Sequence, residues 1–475
     1  MRGDGPPWGT RPGDGYIRSP PASEPARGGR LEVEVEVVVV GAGLAGCEAA
    51  WQIASRGVPV VLYEMKPTRF SPAHQSPEFA ELVCSNSFRA SGLGNAVGLL
   101  KEEMRRLGSL VLRVADETAV PAGRALAVDR LEFSKRITAE IEAHPKVEIR
   151  REELKGLPAA PLAVLATGPL GSEALVNELQ RHVGEASLYF YDAISPIVYA
   201  DSIDPEVAFR ASRWEEGPGD YLNLPLDRAG YEGLVDELAR ADTVPLHAFE
   251  SALYFEGCLP IEEMARRGRD TLAHGPMKPV GLEDPRTGER PHAVVQLRQE
   301  DKRGVLYNLV GFQTKLRVAE QKRIFRALPG MGEAVFARYG SVHRNTYLNA
   351  PTCLNETLEL VGRPGLYVAG QMAGVEGYVE SAALGGLVGA LVARRARGEH
   401  VVLPEPATAH GALLGHLRES SPRGFQPMNV NYGLFPPLEG TRRLKKREKN
   451  QRLAARALET LEPYRRAVAP EALQR

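Results

Sequence analysis

The sequence predicts an α/β protein in which a Rossmann-like dinucleotide-binding domain is interrupted by an inserted α+β domain. Three observations support this fold class. Residues 37–64 read as a strand, a glycine-rich turn, a helix and a second strand, the order typical of a βαβ unit. Two further apolar strands are predicted much later in the chain, and they end near Gly168 and Gly370. Between them, residues 192–345 are rich in aromatic residues, prolines and short strand-like runs.

Composition and charge narrow the class of protein. The 475 residues are 43% hydrophobic and 25% charged, which is typical of a globular chain and excludes one that is disordered throughout. The formal net charge is −1, so bulk charge does not indicate a polyanionic partner. No uncharged apolar run reaches the roughly 18 residues of a membrane span, and no apolar N-terminal signal is seen. We therefore expect a cytoplasmic protein without a membrane span.

The chain divides into five predicted segments. Residues 1–30 are rich in glycine and proline and cannot offset the entropy of ordering. Folding is expected from Leu31, where apolar and charged residues alternate before the unbroken valines 37–40. The segments are a disordered extension (1–30), the first part of the dinucleotide-binding domain (31–191), the inserted substrate domain (192–345), the second part of the dinucleotide-binding domain (346–440) and a basic C-terminal helical segment (441–475).

The first turn carries a dinucleotide-binding pattern. A pyrophosphate must approach the backbone at a helix N-terminus, which requires glycine for the tight turn, for close approach and for helix–strand packing. An acid at the end of the second strand accepts hydrogen bonds from the adenosine ribose. Nicotinamide and flavin enzymes share this unit, so it leaves the choice of dinucleotide open. The predicted contact residues are Gly41, Ala42, Gly43, Leu44, Ala45, Gly46 and Glu64.

Two later segments resemble the remaining fingerprints of FAD-binding proteins of the glutathione reductase type. Ala166-Thr-Gly168 follows one strand, and Gly365-Leu-Tyr-Val-Ala-Gly370-Gln371 contains another, followed by a predicted helix from about Val379 to Arg397. In such proteins the last helix directs its N-terminus at the flavin pyrimidine. These segments favour FAD, with contacts from Gly168, Gly370 and Gln371. An acid commonly occupies the position of Gln371, so the ribityl contact is expected to differ here.

The four cysteines include no CxxC pair, which excludes a disulfide scaffold and disfavours a metal site. Cys47 lies in the first turn of the βαβ helix and Cys353 between Thr352 and Leu354, and both are expected to be packed. Cys84 is expected to follow an apolar strand and to lie in a polar turn before a helix, where a thiol can be reactive. Cys258 lies in a loop that could present a nucleophile. From the residues alone, a structural role remains open for both.

Two further features are candidates for ligand contact. His343 lies in a cluster of polar and aromatic residues and could stack on a planar ligand, whereas the other histidines are scattered without metal-ligand spacing. Residues 441–475 hold eleven Lys and Arg against four Asp and Glu, a local charge of +7 that leaves −8 for the rest. Such a segment is either a solvated helical face or a phosphate contact. The candidate contacts are Arg442, Arg443, Lys445 and Lys446.

From Val37 to about Pro437 the chain resembles the TrmFO family, folate- and FAD-dependent tRNA (uracil-5-)-methyltransferases related to the longer GidA-type flavoproteins. The cysteine-containing stretches make the resemblance specific, because generic FAD-binding proteins lack them. The matching stretches are Gly41-Ala-Gly-Leu-Ala-Gly46, Leu82-Val-Cys-Ser-Asn-Ser87, Tyr254-Phe-Glu-Gly-Cys-Leu-Pro260, Gly275-Pro-Met-Lys-Pro-Val-Gly281, Leu309-Val-Gly-Phe-Gln-Thr-Lys315 and Gly370-Gln-Met-Ala-Gly-Val-Glu-Gly-Tyr378.

The resemblance implies a reaction and its participants. The T-loop uridine of tRNA would be methylated at C5, with 5,10-methylenetetrahydrofolate as carbon donor, reduced FAD as reductant and NAD(P)H reloading the flavin. Uracil C5 is a poor nucleophile until a thiolate adds to C6. The family's nucleophile falls on Cys258, its base near the flavin on Cys84, and its pterin-stacking histidine on His343.

Two other functions compete with this interpretation. A GidA-type enzyme would modify the wobble uridine together with a GTPase partner. Enzymes of that type, however, are longer than these 475 residues. An FAD reductase acting on small molecules would leave the cysteines structural. A tRNA substrate also requires the target base to be extruded, a cost repaid by stacking and phosphate contacts. The basic C-terminal segment and Arg266, Arg267 and Arg269 are expected to supply phosphate contacts. The sequence leaves the oligomeric state open.

Overall fold

The computed structural model describes residues 36–184, 187–215, 217, 219–245, 259–439 and 444–468. Several predictions fall outside these ranges. They concern the extension of residues 1–30, the start of the first strand at 31–35, and the site candidates Cys258, Arg442 and Arg443. The described residues include Cys84, His343, the dinucleotide-binding turn and the basic segment from residue 444 to residue 468.

Strands and helices are interspersed along the described residues. The strands are β1 (Val37–Val40), β2 (Val60–Tyr63), β3 (Ser87–Ala90), β4 (Ala119–Val120), β5 (Ala125–Val128), β6 (Val147–Arg150), β7 (Leu162–Leu165), β8 (Ser187–Ile194), β9 (Ile197–Tyr199), β10 (Phe209–Ala211), β11 (Tyr221–Leu226), β12 (Ala293–Gln299), β13 (Leu306–Leu309), β14 (Phe336–Arg338), β15 (Ser341–Leu348) and β16 (Leu366–Val368). The α-helices are α1 (Leu44–Ala54), α2 (Ala96–Arg106), α3 (Leu110–Glu117), α4 (Arg130–Glu142), α5 (Glu173–Val183), α6 (Arg228–Arg240), α7 (Ile261–Arg267), α8 (Thr271–His274), α9 (Val318–Arg326), α10 (Ala350–Cys353), α11 (Tyr378–Ala396), α12 (Ala409–Glu419) and α13 (Lys446–Val468).

The first sheet is parallel, with strand order β16-β7-β1-β2-β6. Every residue of β1 and β7 is buried, as expected of central strands covered on both faces. The predicted Rossmann-like arrangement is therefore confirmed. Parallel strands bring their carboxyl ends to one edge of a sheet, where ligands bind in this fold. That edge carries Gly41 after β1, Glu64 after β2, Gly168 shortly after β7 and Gly370 shortly after β16.

Helices α1 and α11 cross closely beside this sheet. A Cβ added at Gly385 of α11 would lie 2.2 Å from the carbonyl oxygen of Ala45 in α1, so the crossing admits only glycine at that point. The contact fixes the first glycine-rich turn relative to α11, although more than 300 residues separate them in sequence. Helix α11 begins at Tyr378 and ends at Ala396, close to the bounds predicted for the helix after Gly370.

The second sheet is antiparallel, with strand order β10-β11-β12-β13-β9-β14. It has its own apolar core, which includes Tyr231, Phe312 and Phe325. The chain leaves the first sheet through β8 and returns through β15, and these strands pair with each other over eight residues. All strands of the second sheet lie between them in sequence. The predicted boundaries of the inserted domain at 192 and 345 remain predictions.

The segment before Cys84 differs from the prediction. Leu82 and Val83 are not in a strand, and the strand of this region, β3, begins only at Ser87. The physical reason is that their carbonyls bond to side chains instead of a neighbouring strand. The Leu82 carbonyl accepts from Arg130, and that of Val83 accepts from Arg338 at 2.8 Å. Leu82 is fully buried, so the apolar residues anchor a loop.

The C-terminal helix α13 packs through one apolar face on the apolar core around the parallel sheet. The elements that share this core are called the first layer, and those around the second sheet the second layer. Leu453, Ala454, Ala457 and Leu461 are buried, and Arg106 of α2 forms an ion pair with Glu462 at 3.3 Å. Nowhere in the described ranges does a helix combine the length and apolar character that crossing a membrane requires.

Candidate functional site

A cavity of about 1430 Å³, part of it open to solvent, lies at the carboxyl edge of the parallel sheet. Its lining includes residues that follow each of the five strands of that sheet, so it extends along the whole edge. The structure brings most of the predicted site residues together here. Those that line the cavity are Gly41, Ala42, Gly43, Leu44, Ala45, Glu64, Cys84, Gly168, His343, Gly370 and Gln371.

The glycine-rich turn is shaped by steric necessity. Gly41 has a φ of 96°, which side chains rarely adopt. Gly46 does not line the cavity, but a Cβ there would lie 1.7 Å from the Gly41 carbonyl oxygen. Helix α1 follows with Gly43 as its N-cap, no capping side chain and no acid in its first turn. Its N-terminal amides and its dipole therefore suit an anionic group such as a pyrophosphate.

Glu64 is tied to this turn. One carboxylate oxygen accepts from the Ala42 amide and the other from the Lys66 amide, each at 2.9 Å. The side chain is 7% exposed and lines the cavity. A carboxylate oxygen has more than one lone pair, so these bonds leave acceptor capacity for the ribose hydroxyls that the sequence predicts as ligands.

The later fingerprints border the same cavity. Helix α11 begins after Gly377, which has a φ of 106° and provides no side-chain cap. Gln371 donates to Glu376 at 2.7 Å, so a carboxylate lies beside the position where an acid was expected. The buried hydroxyl oxygen of Thr167 has no hydrogen-bond partner and lies in the cavity wall. An unpartnered polar atom together with two uncapped helix N-termini fits a large polar ligand such as FAD.

Cys84 is held at the cavity wall by Tyr378. The Cys84 amide donates to the phenol oxygen at 2.8 Å, and the thiol sulfur lies 3.0 Å from that oxygen. Burial, reinforced by the interaction with Cys84, raises the pKa of Tyr378 well above its ordinary value. The phenol therefore remains protonated at neutral pH and keeps a hydrogen-bond donor beside the sulfur.

The loop that carries Cys84 is held by both layers of the protein. Asn86 donates to the carbonyls of Val128 in the first layer, at 2.8 Å, and Gln299 in the second, at 2.9 Å. Arg298 of β12 donates to the side chains of Ser85 at 2.7 Å and Asn86 at 2.9 Å. The polar run after Cys84, which the sequence indicated only as a turn, therefore joins β5, which pairs with β3 and β4, to β12 of the second sheet.

Two histidines line the cavity. His343 Nε2 lies 3.0 Å from the Ser341 hydroxyl, and burial, followed by repulsion from Arg338, lowers its pKa. His74 Nδ1 lies 2.6 Å from the Ser71 hydroxyl. Burial, followed by repulsion from Lys66, lowers the pKa of His74 to about 4. Both rings are therefore neutral at pH 7. The sequence singled out only His343, because no spacing rule links His74 to the glycine-rich turn.

The structure buries Cys47 and Cys353, as predicted. Cys47 is fully buried, its thiol donates to the Ala42 carbonyl at 3.3 Å, and burial raises its pKa. Cys353 is 4% exposed, and burial raises its pKa to about 11. Neither thiol lines the cavity, which leaves Cys84 as the cavity thiol of the described residues. Within those same ranges, no His, Cys, Asp and Glu side chains cluster as a metal site.

The basic residues that the sequence predicts as phosphate contacts differ in how far they are already paired. Lys445 and Lys446 are exposed at the start of α13. Arg266 and Arg269 are already paired, with Glu263 and Asp236 respectively, both at 2.9 Å. Ion-paired arginines offer less net charge to a phosphate. The start of α13 is therefore the stronger candidate for phosphate contact.

Comparison with known proteins identifies the family. A family model described as glucose inhibited division protein A matches residues 36–400. The chain is similar in structure to GidA of Aquifex aeolicus, with a TM-score of 0.65 and 16% sequence identity, covering 93% of this chain and 75% of that one. At this identity the likeness bears on the fold alone.

The relatives that are similar in sequence identify the family more narrowly. A protein of Geobacter sulfurreducens named methylenetetrahydrofolate–tRNA-(uracil-5-)-methyltransferase TrmFO is 59% identical over 429 residues, covering 90% of this chain and 98% of the relative. A protein of the same name from Syntrophotalea carbinolica is 57% identical, covering 91% of this chain and 94% of the relative. The chain therefore belongs to the GidA family and, within it, to the TrmFO proteins.

Proposed function

We propose that this protein methylates C5 of the T-loop uridine of tRNA, with 5,10-methylenetetrahydrofolate as the carbon donor and FAD as its cofactor. The observation that carries the proposal is the near full-length match, at 59% identity, to a relative named for this activity. The structure adds a thiol, Cys84, in the wall of a cavity that fits FAD. The activity also implies a cytoplasmic location, where tRNA is modified.

The chain's own residues would hold FAD along the carboxyl edge of the parallel sheet. The turn Gly41–Gly46 and the N-terminus of α1 would bind its pyrophosphate, and Glu64 its adenosine ribose. Gly168, Gly370 and Gln371 would border the rest, with the N-terminus of α11 toward the flavin. Bound reduced FAD would supply the hydride that completes the methyl group. NAD(P)H is proposed as the external source of that hydride.

Two cysteines would act on the uracil ring. Addition of the Cys258 thiolate to C6 makes C5 nucleophilic. After C5 has bonded to the one-carbon unit, a base must remove the C5 proton. The resulting enolate expels the amine that carried the one-carbon unit and leaves an exocyclic methylene on C5. Hydride addition to this methylene would give the methyl group and release the Cys258 sulfur from C6. Cys84 is proposed as this base, because its thiol lies in the cavity wall beside the protonated phenol of Tyr378. His343 is proposed to stack on the pterin, since its neutral ring lines the same cavity.

The start of α13 is proposed to contact tRNA phosphates. Lys445, Lys446, Arg447 and Lys449 are exposed there, at the positive end of the helix dipole, where cations are destabilising. A bound polyanion would offset that cost. Asn450 of the same turn donates to the Gly94 carbonyl at 2.9 Å, which ties this end of the helix to the loop after β3. Arg442 and Arg443, which lie outside the described residues, are proposed to contact tRNA phosphates as well.

One assay tests the proposed function. Unmodified tRNA, methylenetetrahydrofolate labelled in its one-carbon unit and NADPH are supplied to the FAD-loaded protein, and the label is located by nuclease digestion. Label in T-loop 5-methyluridine is expected. Label at the wobble uridine would support a GidA-type activity instead, and NADPH oxidation without any label in tRNA would support a small-molecule reductase.

A second measurement tests the nucleophile. RNA that carries 5-fluorouridine at the target position cannot lose the C5 substituent as a proton, so the enzyme should remain covalently attached through sulfur. Cys258→Ser should abolish this adduct, whereas Cys353→Ser, at a buried thiol remote from the cavity, should retain it. Persistence of the adduct in Cys258→Ser would remove Cys258 as the nucleophile.

A further inference from the structure

Arg338 ends β14 of the second sheet at an irregular position. The pairing of β14 with β9 shifts register between Phe336 and Arg338, and such bulges redirect the side chain that follows them. The next turn is held tightly, because the Gly340 amide donates to the Gln321 side chain at 2.8 Å and the Gly340 carbonyl accepts from it at 2.9 Å. The backbone on both sides therefore fixes the position of the Arg338 Cα, from which the side chain extends.

The Arg338 side chain reaches the first layer at two carbonyls. One guanidinium nitrogen donates to Val83 at 2.8 Å and another to Ala73 at 3.1 Å. Val83 precedes Cys84, and Ala73 precedes His74. One cation therefore joins the two segments that present a thiol and an imidazole to the cavity. Arg338 is not itself a lining residue, so it would act through these segments.

The positive charge of Arg338 is not neutralised by an ion pair within the described chain. Two other guanidinium groups lie near this loop. Arg130 pairs with Glu300 at 2.7 Å, and Arg298 donates to the side chains of Ser85 and Asn86. Burial, followed by repulsion from Arg130, lowers the pKa of Arg338, while attraction to Tyr378, Glu81 and Cys84 opposes the shift. A guanidinium remains charged even so. Its charge therefore acts on the Cys84 loop.

We propose, on the basis of the proposed function, that Arg338 is a positioning residue that holds the Cys84 and His74 segments together and favours the thiolate form of Cys84. The thiol proton passes to solvent, and the thiolate can then accept the C5 proton of the uracil. Because a nearby cation stabilises a thiolate, the charge of Arg338 matters as well as its hydrogen bonds. The charged or titratable groups around the loop include Tyr378 of α11, Arg130 of α4, Arg298 and Glu300 of the β12 region, and Glu81, which pairs with Lys66 at 3.7 Å.

Thiol alkylation tests this role without tRNA or folate. FAD-loaded wild type, R338Q and R338K are treated with iodoacetamide across a pH series, and the peptide containing Cys84 is quantified by mass spectrometry. R338Q should slow Cys84 alkylation at pH 7 by about tenfold, the change in thiolate fraction expected for loss of one neighbouring charge. R338K should stay within about threefold of wild type, because it keeps the charge. The matched control is R363Q, which removes an arginine that bonds a carbonyl, of Pro158, at 2.7 Å away from the cavity.

The proposal is overturned if R338Q alkylates like wild type, or if R338K is slowed as much as R338Q. If R338Q does not fold, the proposal is tested on the wild-type protein alone. The pH midpoint of Cys84 alkylation must then be lower in the native protein than in the same protein unfolded in urea, and an equal or higher midpoint rejects the proposal. Failure of tRNA methylation with the expected alkylation profile would contradict the proposed function and leave the role of Arg338 intact.

Discussion

The phenol oxygen of Tyr378 contacts both the backbone and the side chain of Cys84, at 2.8 Å from its amide nitrogen and 3.0 Å from its sulfur. Tyr378 is the first residue of α11, the helix whose N-terminus borders the cavity. The thiol is therefore positioned by the element that the fold directs at the flavin. This contact links the proposed base to the cofactor site through a single side chain.

Replacing Tyr378 with Phe should impair the proposed reaction more than FAD binding. The Cys84 amide would lose its buried acceptor and the sulfur its hydrogen-bond partner, a loss of roughly 1–3 kcal/mol. We expect kcat for tRNA methylation to fall by about 10- to 100-fold, with the FAD content of the purified protein unchanged. The control is Tyr347→Phe. It also removes a tyrosine hydroxyl that donates a hydrogen bond, in this case to the Phe425 carbonyl at 3.2 Å. A wild-type kcat in Tyr378→Phe would show that the contact is dispensable.

A methyl group at Gly46 should prevent FAD binding. The added Cβ would lie 1.7 Å from the Gly41 carbonyl oxygen, and backbone atoms can relieve such a clash only by moving the turn. The purified Gly46→Ala protein should contain less than about a tenth of the wild-type flavin absorbance, a binding loss of at least ~1.4 kcal/mol. Gly415→Ala in α12 is the control, because a Cβ there meets no atom within 4 Å. Full flavin content in Gly46→Ala would contradict the assigned turn.

Charge reversal at the start of α13 should weaken tRNA binding. In Lys445→Glu/Lys446→Glu, the slope of log K against log salt should fall in magnitude by about 1.5, as expected for two lost phosphate contacts. Fluorescence anisotropy with labelled tRNA measures both affinity and slope. Arg466→Glu is the control, since Arg466 is exposed and lies 20 residues further along the same helix, roughly 30 Å away. Equal effects of both variants would indicate a long-range charge effect.

Buried Lys101 should make stability depend on pH. Its side chain is fully buried and donates to the carbonyls of Phe88 at 3.1 Å and Arg89 at 3.0 Å. Burial, followed by repulsion from Arg105 and Arg89, lowers its pKa from 10.5 to about 7. Between pH 7 and 10.5 the unfolded chain therefore binds more protons at this site than the native protein does. The free energy of unfolding should accordingly gain a contribution from this residue that rises with pH.

Urea unfolding at pH 7 and pH 9 measures this contribution. From pH 7 to pH 9 the wild type should gain roughly 1–3 kcal/mol relative to Lys101→Met, which lacks the titrating group. The control is Lys135→Met, because Lys135 has a side chain that is 60% exposed. A difference between wild type and Lys101→Met that is the same at both pH values would show that Lys101 does not titrate in this range.

The local patterns of the sequence determined the first layer of this protein. The valines of β1, the glycine spacing of the first turn and the acid at the end of β2 lie within 28 residues, and each acts through its immediate neighbours. Such features predict the same structure wherever they occur, which is why the parallel sheet, α11 and the packed thiols Cys47 and Cys353 agree with prediction. The assignment of chemistry to Cys84 came from family resemblance, because a lone thiol has no diagnostic spacing.

Only the tertiary structure decided what surrounds Cys84. Tyr378 is 294 residues from it in sequence, and the contact of Arg338 with Val83 spans 255 residues. The same long-range bonds explain why Leu82 and Val83 form a loop, since arginine side chains occupy the carbonyls that a neighbouring strand would need. Sequence periodicity records which face of an element is apolar. It carries no record of which distant donor meets a given carbonyl, and at this loop those donors fix the position of the thiol.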